Sequence, residues 1–246
     1  MNMPQKKLTK VSSAKSATNK SAPAPGRPVG LPSDVAAIRK EIAAFFDTLD
    51  DSGRKIGSYQ YGVYAFYDYD GEPIYIGQTK ELLRGRISRH LTNQRTDAVA
   101  MNVLDPFEVA EIAIWPLKLD AFPEPERDEY LNRAEFTLFQ KVIAESKLGA
   151  VLNEKPPMQG PAIELPQSYR QRIIPEDIYP HRKHPDIRIA RRASTIASLA
   201  RVISERDVSP GLRRTLLTQA KRLERLAAER LKELGQSGND TEAISD

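Results

Sequence analysis

The apolar residues of this chain fall into two rhythms, one helical and one strand-like, with polar joints between them. Val35, Ile38, Ile42 and the Phe45/Phe46 pair share one helical face. Ser33 or Asp34 supplies the N-cap, which predicts a helix to about Leu49, broken by Asp50-Asp51-Ser52-Gly53. Gly62–Tyr67 is aromatic and β-branched and predicts a strand. Asp68–Glu72 is a turn, marked by Asp70-Gly71, and Pro73–Gly77 is the returning strand of a hairpin. A helix follows from Thr79 or Lys80 to about Leu91. Phe107–Leu117 alternates apolar and polar residues over its first part, as a half-buried third strand does. Glu124 to about Lys147 is a long amphipathic helix, stopped by Gly149, and Ala150–Asn153 is a short extended exit.

Beyond this the pattern changes. Residues 156–186 are rich in proline and carry Arg170, Arg172, His181, Arg182, Lys183 and His184, which predicts an extended arm over the domain or a linker. In residues 187–235, Ile189, Ala193, Ile196, Ala200 and Ile203 form one stripe. Leu212, Leu216, Ala220, Leu223, Ala227 and Leu234 form a second, after a turn at Ser209-Pro210-Gly211. An antiparallel αα-hairpin buries both stripes. Residues 236–246 and 1–32 read as disordered tails. The N-terminal tail sets Lys6, Lys7, Lys10, Lys15, Lys20 and Arg27 among Ser, Ala, Thr and Pro without an acid. It serves either as a solubilising tail or as a non-specific DNA-binding arm. The expected fold class is α+β: a three-stranded sheet flanked by helices over residues 61–155, a helix and lead-in over 33–60, and the C-terminal hairpin.

Composition narrows the chemistry. The absence of cysteine excludes disulfides, thiolate metal sites and cysteine nucleophiles. No apolar run approaches the ~20 residues that span a bilayer, and no apolar stretch follows the N-terminal lysines as a secretory signal requires. The expectation is a cytoplasmic protein without a membrane partner, nucleoid-associated if bacterial. The net charge of +4 is unevenly spread, with more acids than bases in the centre and basic flanks, which suits a polyanion partner.

Two phenols, Tyr64 and Tyr75, stand on the hairpin strands. Arg86 and His90 are separated by four residues, so both project from one helix face. Glu135 lies early on the long helix, and Asn153 just after it. Each has a plain reading alone: cross-strand aromatics, solvated helix residues, a surface carboxylate, a turn asparagine. Together, in this order, Gly62-Val63-Tyr64, Tyr75-Ile76-Gly77, Arg86 with His90, Glu135 and Asn153 resemble the GIY-YIG nuclease superfamily, with valine in place of the middle isoleucine. The resemblance covers Tyr61 to Asn153 and leaves the rest of the chain outside. Within that superfamily, Trp115-Pro116-Leu117 is similar to a stretch of the Eco29kI-like restriction endonucleases, and repair or mobile-element roles stay open beside restriction.

The resemblance implies roles. Glu135 would hold Mg²⁺ (or Mn²⁺), Arg86 would bind the phosphate and Tyr64 would take part in proton transfer from an attacking water. Tyr75 would orient the water or the phosphate, His90 would bond a tyrosine or protonate the leaving group, and Asn153 would anchor the glutamate side of the site or the backbone near it. Gly77 and Arg86 stand one residue further apart than the common family spacing, so Arg84 and Arg89 are rivals for the catalytic role. DNA is the expected partner, with Lys80, Arg84, Arg89, Arg170, Arg172, Arg182 and Lys183 as candidate phosphate contacts. The basic C-terminal hairpin would bind DNA or join two subunits into a homodimer. His181 and His184 lack a third ligand and read as a basic patch. Trp115 reads as packing. The competing reading is a non-catalytic DNA-binding or assembly module that keeps the scaffold.

Overall fold

The computed structural model describes residues 33–91 and 103–242, with the backbone alone for 236–242. The two predicted tails lie outside these residues, except that the last helix continues through Glu242 rather than ending near residue 235.

Helix α1 (Ser33–Phe46) buries Ile42, Phe45 and Phe46. It ends three residues before the predicted stop. Beyond it, the Asp50 carboxylate accepts the Ser52 and Arg54 backbone N–H groups, each at 2.9 Å, and closes a turn. Strands β1 (Tyr61–Tyr67) and β2 (Pro73–Thr79) form the predicted hairpin, with Tyr64 opposite Gly77 and Phe66 opposite Tyr75. Asp68 N–H donates to Glu72 O across the turn, and Gly71 takes the positive φ (70°) that favours glycine. Helix α2 (Leu83–Leu91) starts later than expected, because the Thr79 hydroxyl accepts the Glu81 N–H and holds that segment in a turn. Strand β3 (Glu111–Leu117) is shorter than the alternating run. Asp105 caps a tight turn over Pro106–Glu108 and takes the first residues out of the sheet. Helix α3 (Glu124–Glu145) opens with Glu124 and Glu126 at its positive end.

The sheet has four strands, not three. The fourth, β4 (Tyr169–Arg172), comes from the proline-rich segment and pairs antiparallel with Glu111–Ile114, giving the order β2-β1-β3-β4. Its four residues, Tyr-Arg-Gln-Arg, carry too little apolar alternation to register as a strand. They are held by the neighbouring edge and by Arg170, which stacks on Tyr67 and pairs with Glu111 at 2.6 Å. The segment is thus a packed arm. Ile163 N–H donates to the Thr137 hydroxyl at 3.0 Å, and Ile163 and Leu165 pack against the core beneath α3.

Alternation along β1 separates two cores. Val63, Ala65 and Tyr67 meet Leu131, Ala134, Leu138 and Val142 of α3, with Trp115 among them. Tyr64 and Phe66 meet α1, α2 and the C-terminal helices on the other face. A short helix α4 (Tyr179–Lys183) leads into α5 (Pro185–Glu205) and α6 (Pro210–Glu242), the predicted hairpin.

The faces that the hairpin buries match the predicted stripes only in part: Leu212 is buried, and Ile203 and Leu216 pack against the core. On α5 the buried residues are Arg188, Arg192, Leu199 and Val202, while Ala193 is exposed. On α6 they are Leu212, Thr215, Thr218, Gln219, Arg222 and Leu226, while Ala220, Ala227 and Leu234 face out. The reason is charge pairing. Asp68 Oδ2 receives Arg188, Arg192 and Arg222 at 3.3, 2.9 and 2.6 Å, and Glu108 receives Arg192 at 2.9 Å. Gln219 donates to Val103 O at 3.1 Å. Leu199, Val202 and Leu212 join the same core as Tyr64 and Phe66, so the hairpin packs onto the sheet domain. Among the described residues no helix is long and apolar enough to cross a membrane.

Candidate active site

Cross-strand pairing sets the centre of the site. Tyr64 lies opposite Gly77, and its ring occupies the space a side chain would need. A Cβ on Gly77 would lie 2.5 Å from Tyr64 Oη and 2.6 Å from Cζ. The glycine is required by this close approach and not by an unusual backbone angle. Fully buried, Tyr64 bonds His90 Nε2 through its Oη at 3.0 Å. Tyr75 stacks on Phe66, with ring centroids 5.9 Å apart, and its ring lies 5.2 Å from that of His90. The predicted four-residue spacing on α2 thus brings His90 to both phenols.

Arg86 comes from the same helix, one turn earlier. Burial pushes the Tyr64 phenol far above its ordinary pKa, and the neighbouring Tyr75 adds to the shift. The charge of Arg86, and a hydrogen bond to it, act in the opposite direction. Arg86 Nε is buried without a hydrogen-bond partner, a donor left over for a ligand. The two rival arginines are engaged elsewhere, Arg84 with Asp47 and Arg89 with Glu81.

Glu135 stands on α3, against the opposite face of the sheet, and its charge acts on Tyr64. Burial pushes its carboxyl up to about 7, against hydrogen bonding from Gln78 and the charge of Arg86. A carboxylate whose charge is penalised by burial is stabilised by a nearby cation, so the group fits a divalent ion that keeps several waters. Among the described residues no cluster of three His, Cys, Asp or Glu could hold a metal, which leaves Glu135 as a lone carboxylate. Gln78 and Asn132 are further polar side chains here that no sequence motif singles out. Gln78 Nε2 donates to Asn132 Oδ1 at 2.9 Å, and its Oε1 is buried without a partner. The signal available was alternation: Gln78 follows Gly77 and so points to the α3 face.

Asn153 takes the backbone role of the two that were open. Its carboxamide pairs with both polar groups of Ile76, accepting from N at 3.0 Å and donating to O at 2.8 Å. With Leu152 N–H donating to Ile74 O at 2.7 Å, residues 152–153 complete the outer edge of β2 beside the phenols.

The remaining basic candidates are paired or stacked. Lys80 meets Asp128 at 2.6 Å, Arg172 meets Glu176, and Lys183 lies over the Tyr179 ring. Arg182 packs on Phe107 and pairs with Asp34 at 3.2 Å, with its side chain only 11% exposed, so it is built into the fold.

The protonation of Glu135 makes a stability prediction. The folded chain binds this proton more tightly than the unfolded chain does. Its neutral carboxyl therefore contributes stability that is whole below about pH 4.5 and gone above about pH 7. Glu135→Gln keeps the shape and removes the titration. In EDTA, it is expected to melt with wild type at pH 4.5 and about 2–6 °C higher at pH 8, a gain of ~1–2 kcal/mol after screening. Equal melting temperatures at pH 8, by calorimetry, would contradict the burial assigned to this carboxyl.

No curated protein and no solved structure matches the chain. Residues 60–132, which hold both phenols, Arg86 and His90 but stop short of Glu135 and Asn153, match the family model of the GIY-YIG catalytic domain, and this match supports a nuclease domain of the GIY-YIG superfamily in that part of the chain.

Proposed function

We propose that the protein is a metal-dependent endonuclease that hydrolyses DNA phosphodiester bonds at the Gly77 edge of the sheet. The observation that carries this reading is the Tyr64–His90 bond, set beside a buried, unspent Arg86 donor and within the field of the Glu135 carboxylate. Glu135 would hold a divalent ion such as Mg²⁺ or Mn²⁺, which would supply Lewis-acid stabilisation of the leaving 3′-oxygen.

The residues of the chain divide the other tasks. Arg86 offers a permanent charge and a planar fork to a non-bridging phosphate oxygen. With its pKa raised by burial, Tyr64 is neutral and works as a relay rather than as a standing phenolate. It accepts the proton of the attacking water at Oη while passing its own to His90 Nε2, 3.0 Å away, in the tautomer with Nδ1 protonated. Tyr75 orients the water or the phosphate. Lys80, Arg84 and Arg89 exchange exposed ion pairs for DNA phosphates, an exchange made cheap by the small net worth of surface pairs. Arg170, Arg172 and Lys183 extend that contact from the β4 side. The Trp115-Pro116-Leu117 stretch supports a restriction role, although Trp115 itself is spent in the core.

Plasmid nicking in Mg²⁺ or Mn²⁺ against EDTA tests the reading. Wild type is expected to cut only with metal. Glu135→Ala, Arg86→Ala and Tyr64→Phe should each lose on the order of 10²-fold or more in rate. DNA binding without metal-dependent cutting, indifferent to all three changes, would instead establish a binding module.

A further inference from the structure

The edge of β2 beside the phenols is not held by Asn153 alone. We propose that the Ser209–Gly211 turn at the start of α6 is a positioning clasp, which grips Glu154 and so keeps Asn153 locked on Ile76. In its consequence for catalysis this rests on the nuclease reading; in its mechanics it does not.

Three contacts make the grip. Gly211 packs so closely on Glu154 that a Cβ would lie 2.0 Å from the Glu154 carbonyl oxygen and 3.0 Å from its carbonyl carbon. Ser209 Oγ donates to Glu154 Oε1 at 2.6 Å. Arg214 Nη2 donates to Glu154 O at 3.4 Å. The neighbour that crowds Gly211 is backbone, which cannot rotate away, and Leu212 is anchored in the core that contains Tyr64. The turn therefore cannot retreat from Glu154 without unpacking α6. The glycine is explained by space: Gly211 is not among the positive-φ glycines. In the sequence, Ser209-Pro210-Gly211 reads as a turn, and nothing local distinguishes that from a contact with residue 154.

The chain then transmits the position over two peptide units. Glu154 follows Asn153, whose amide holds both polar groups of Ile76. Ile76 lies between Tyr75 and Gly77, and Gly77 is the floor on which Tyr64 rests. On its outer side β2 has no strand partner, since it ends the sheet. Its line there is set by the 152–153 segment, which Leu152 ties to the core on one side and which, beyond Asn153, depends on the grip on Glu154. The hairpin thus acts on the site through Glu154 as well as through the core.

The test uses the full chain with Gly211→Ala, and with Ser209→Ala, which removes one contact without a clash and stands in if Gly211→Ala does not fold. Amide exchange at Ile76 and Leu152 is read by NMR against Ala65 in the sheet centre. Gly211→Ala should speed exchange at Ile76 and Leu152 about tenfold or more while Ala65 is unchanged. Its kcat for nicking should fall about tenfold or more at unchanged KM for DNA. Ser209→Ala should move both readouts the same way by roughly threefold. Wild-type exchange at Ile76 and Leu152 overturns the clasp, as does acceleration shared equally with Ala65. Faster exchange with unchanged kcat overturns its catalytic role. If wild type cuts no DNA with any metal, the nuclease reading fails instead, and exchange alone decides the clasp.

Discussion

Asp68→Ala is expected to cost about 3–5 kcal/mol, the cost of breaking a buried ion pair by removing one partner. Asp68 is 2% exposed and its two oxygens do different work. Oδ1 accepts the N–H groups of Asp70 and Glu72 at 2.9 and 3.0 Å and shapes the hairpin turn. Oδ2 is shared by Arg188, Arg192 and Arg222, all nearly buried. Glu108 and Asp70 offset part of that positive charge, through Arg192 and Arg188. Burial raises the pKa of Glu108 against the pull of both arginines, so it is a poor substitute for the missing acid. Without Asp68 three guanidinium groups face one another in a site that water barely reaches. A loss of this size is a third or more of the total stability of many domains, which is of order 5–15 kcal/mol. Urea unfolding measures it, with Lys80→Ala as the control. That change breaks the exposed pair with Asp128 and should cost roughly 1 kcal/mol or less. An Asp68→Ala midpoint matching that of the control would remove the network from the account of why the hairpin is attached.

Gly77→Ala should abolish most cutting while leaving a folded chain. One methyl group would lie 2.5 Å from Tyr64 Oη. The ring cannot swing freely, because Phe66 lies 5.4 Å and His90 5.8 Å from it, centroid to centroid. Either the phenol leaves His90, or β2 bulges and loses the Asn153 bonds to Ile76. Both outcomes displace a reacting group by a fraction of an ångström or more, and misplacement of about 1 Å costs on the order of 10²-fold in rate. The overpacking cost to stability is smaller, typically about 1–3 kcal/mol. The expected result is a protein with native circular dichroism and nicking reduced about a hundredfold at saturating Mg²⁺. Wild-type nicking by Gly77→Ala would mean that the Tyr64–Gly77 packing has no part in the reaction.

These two effects come from different parts of the chain and differ in how far they could be foreseen. The need for glycine at position 77 follows from a hairpin whose register the Asp70-Gly71 turn sets, with Tyr64 across from it. The role of Asp68 does not, because its partners lie on helices 120 or more residues away in sequence.

By itself the sequence determined what depends on neighbours along the chain. Aromatic and β-branched residues either side of the Asp70-Gly71 turn placed β1 and β2, alternation placed β3, a helical period placed α3, and a four-residue spacing put Arg86 and His90 on one face, because these relations are set by backbone geometry and local residue type alone. Tertiary structure decided what depends on partners far away. It chose which face of α5 and α6 is buried, because an arginine counts as polar in any periodic pattern until an acid from a distant turn neutralises it. It made a strand of Tyr169–Arg172, whose pairing is set by the vacant edge of β3. It also gave Asn153 its anchoring role and Gly211 its necessity, since both are defined by a backbone segment that approaches through space.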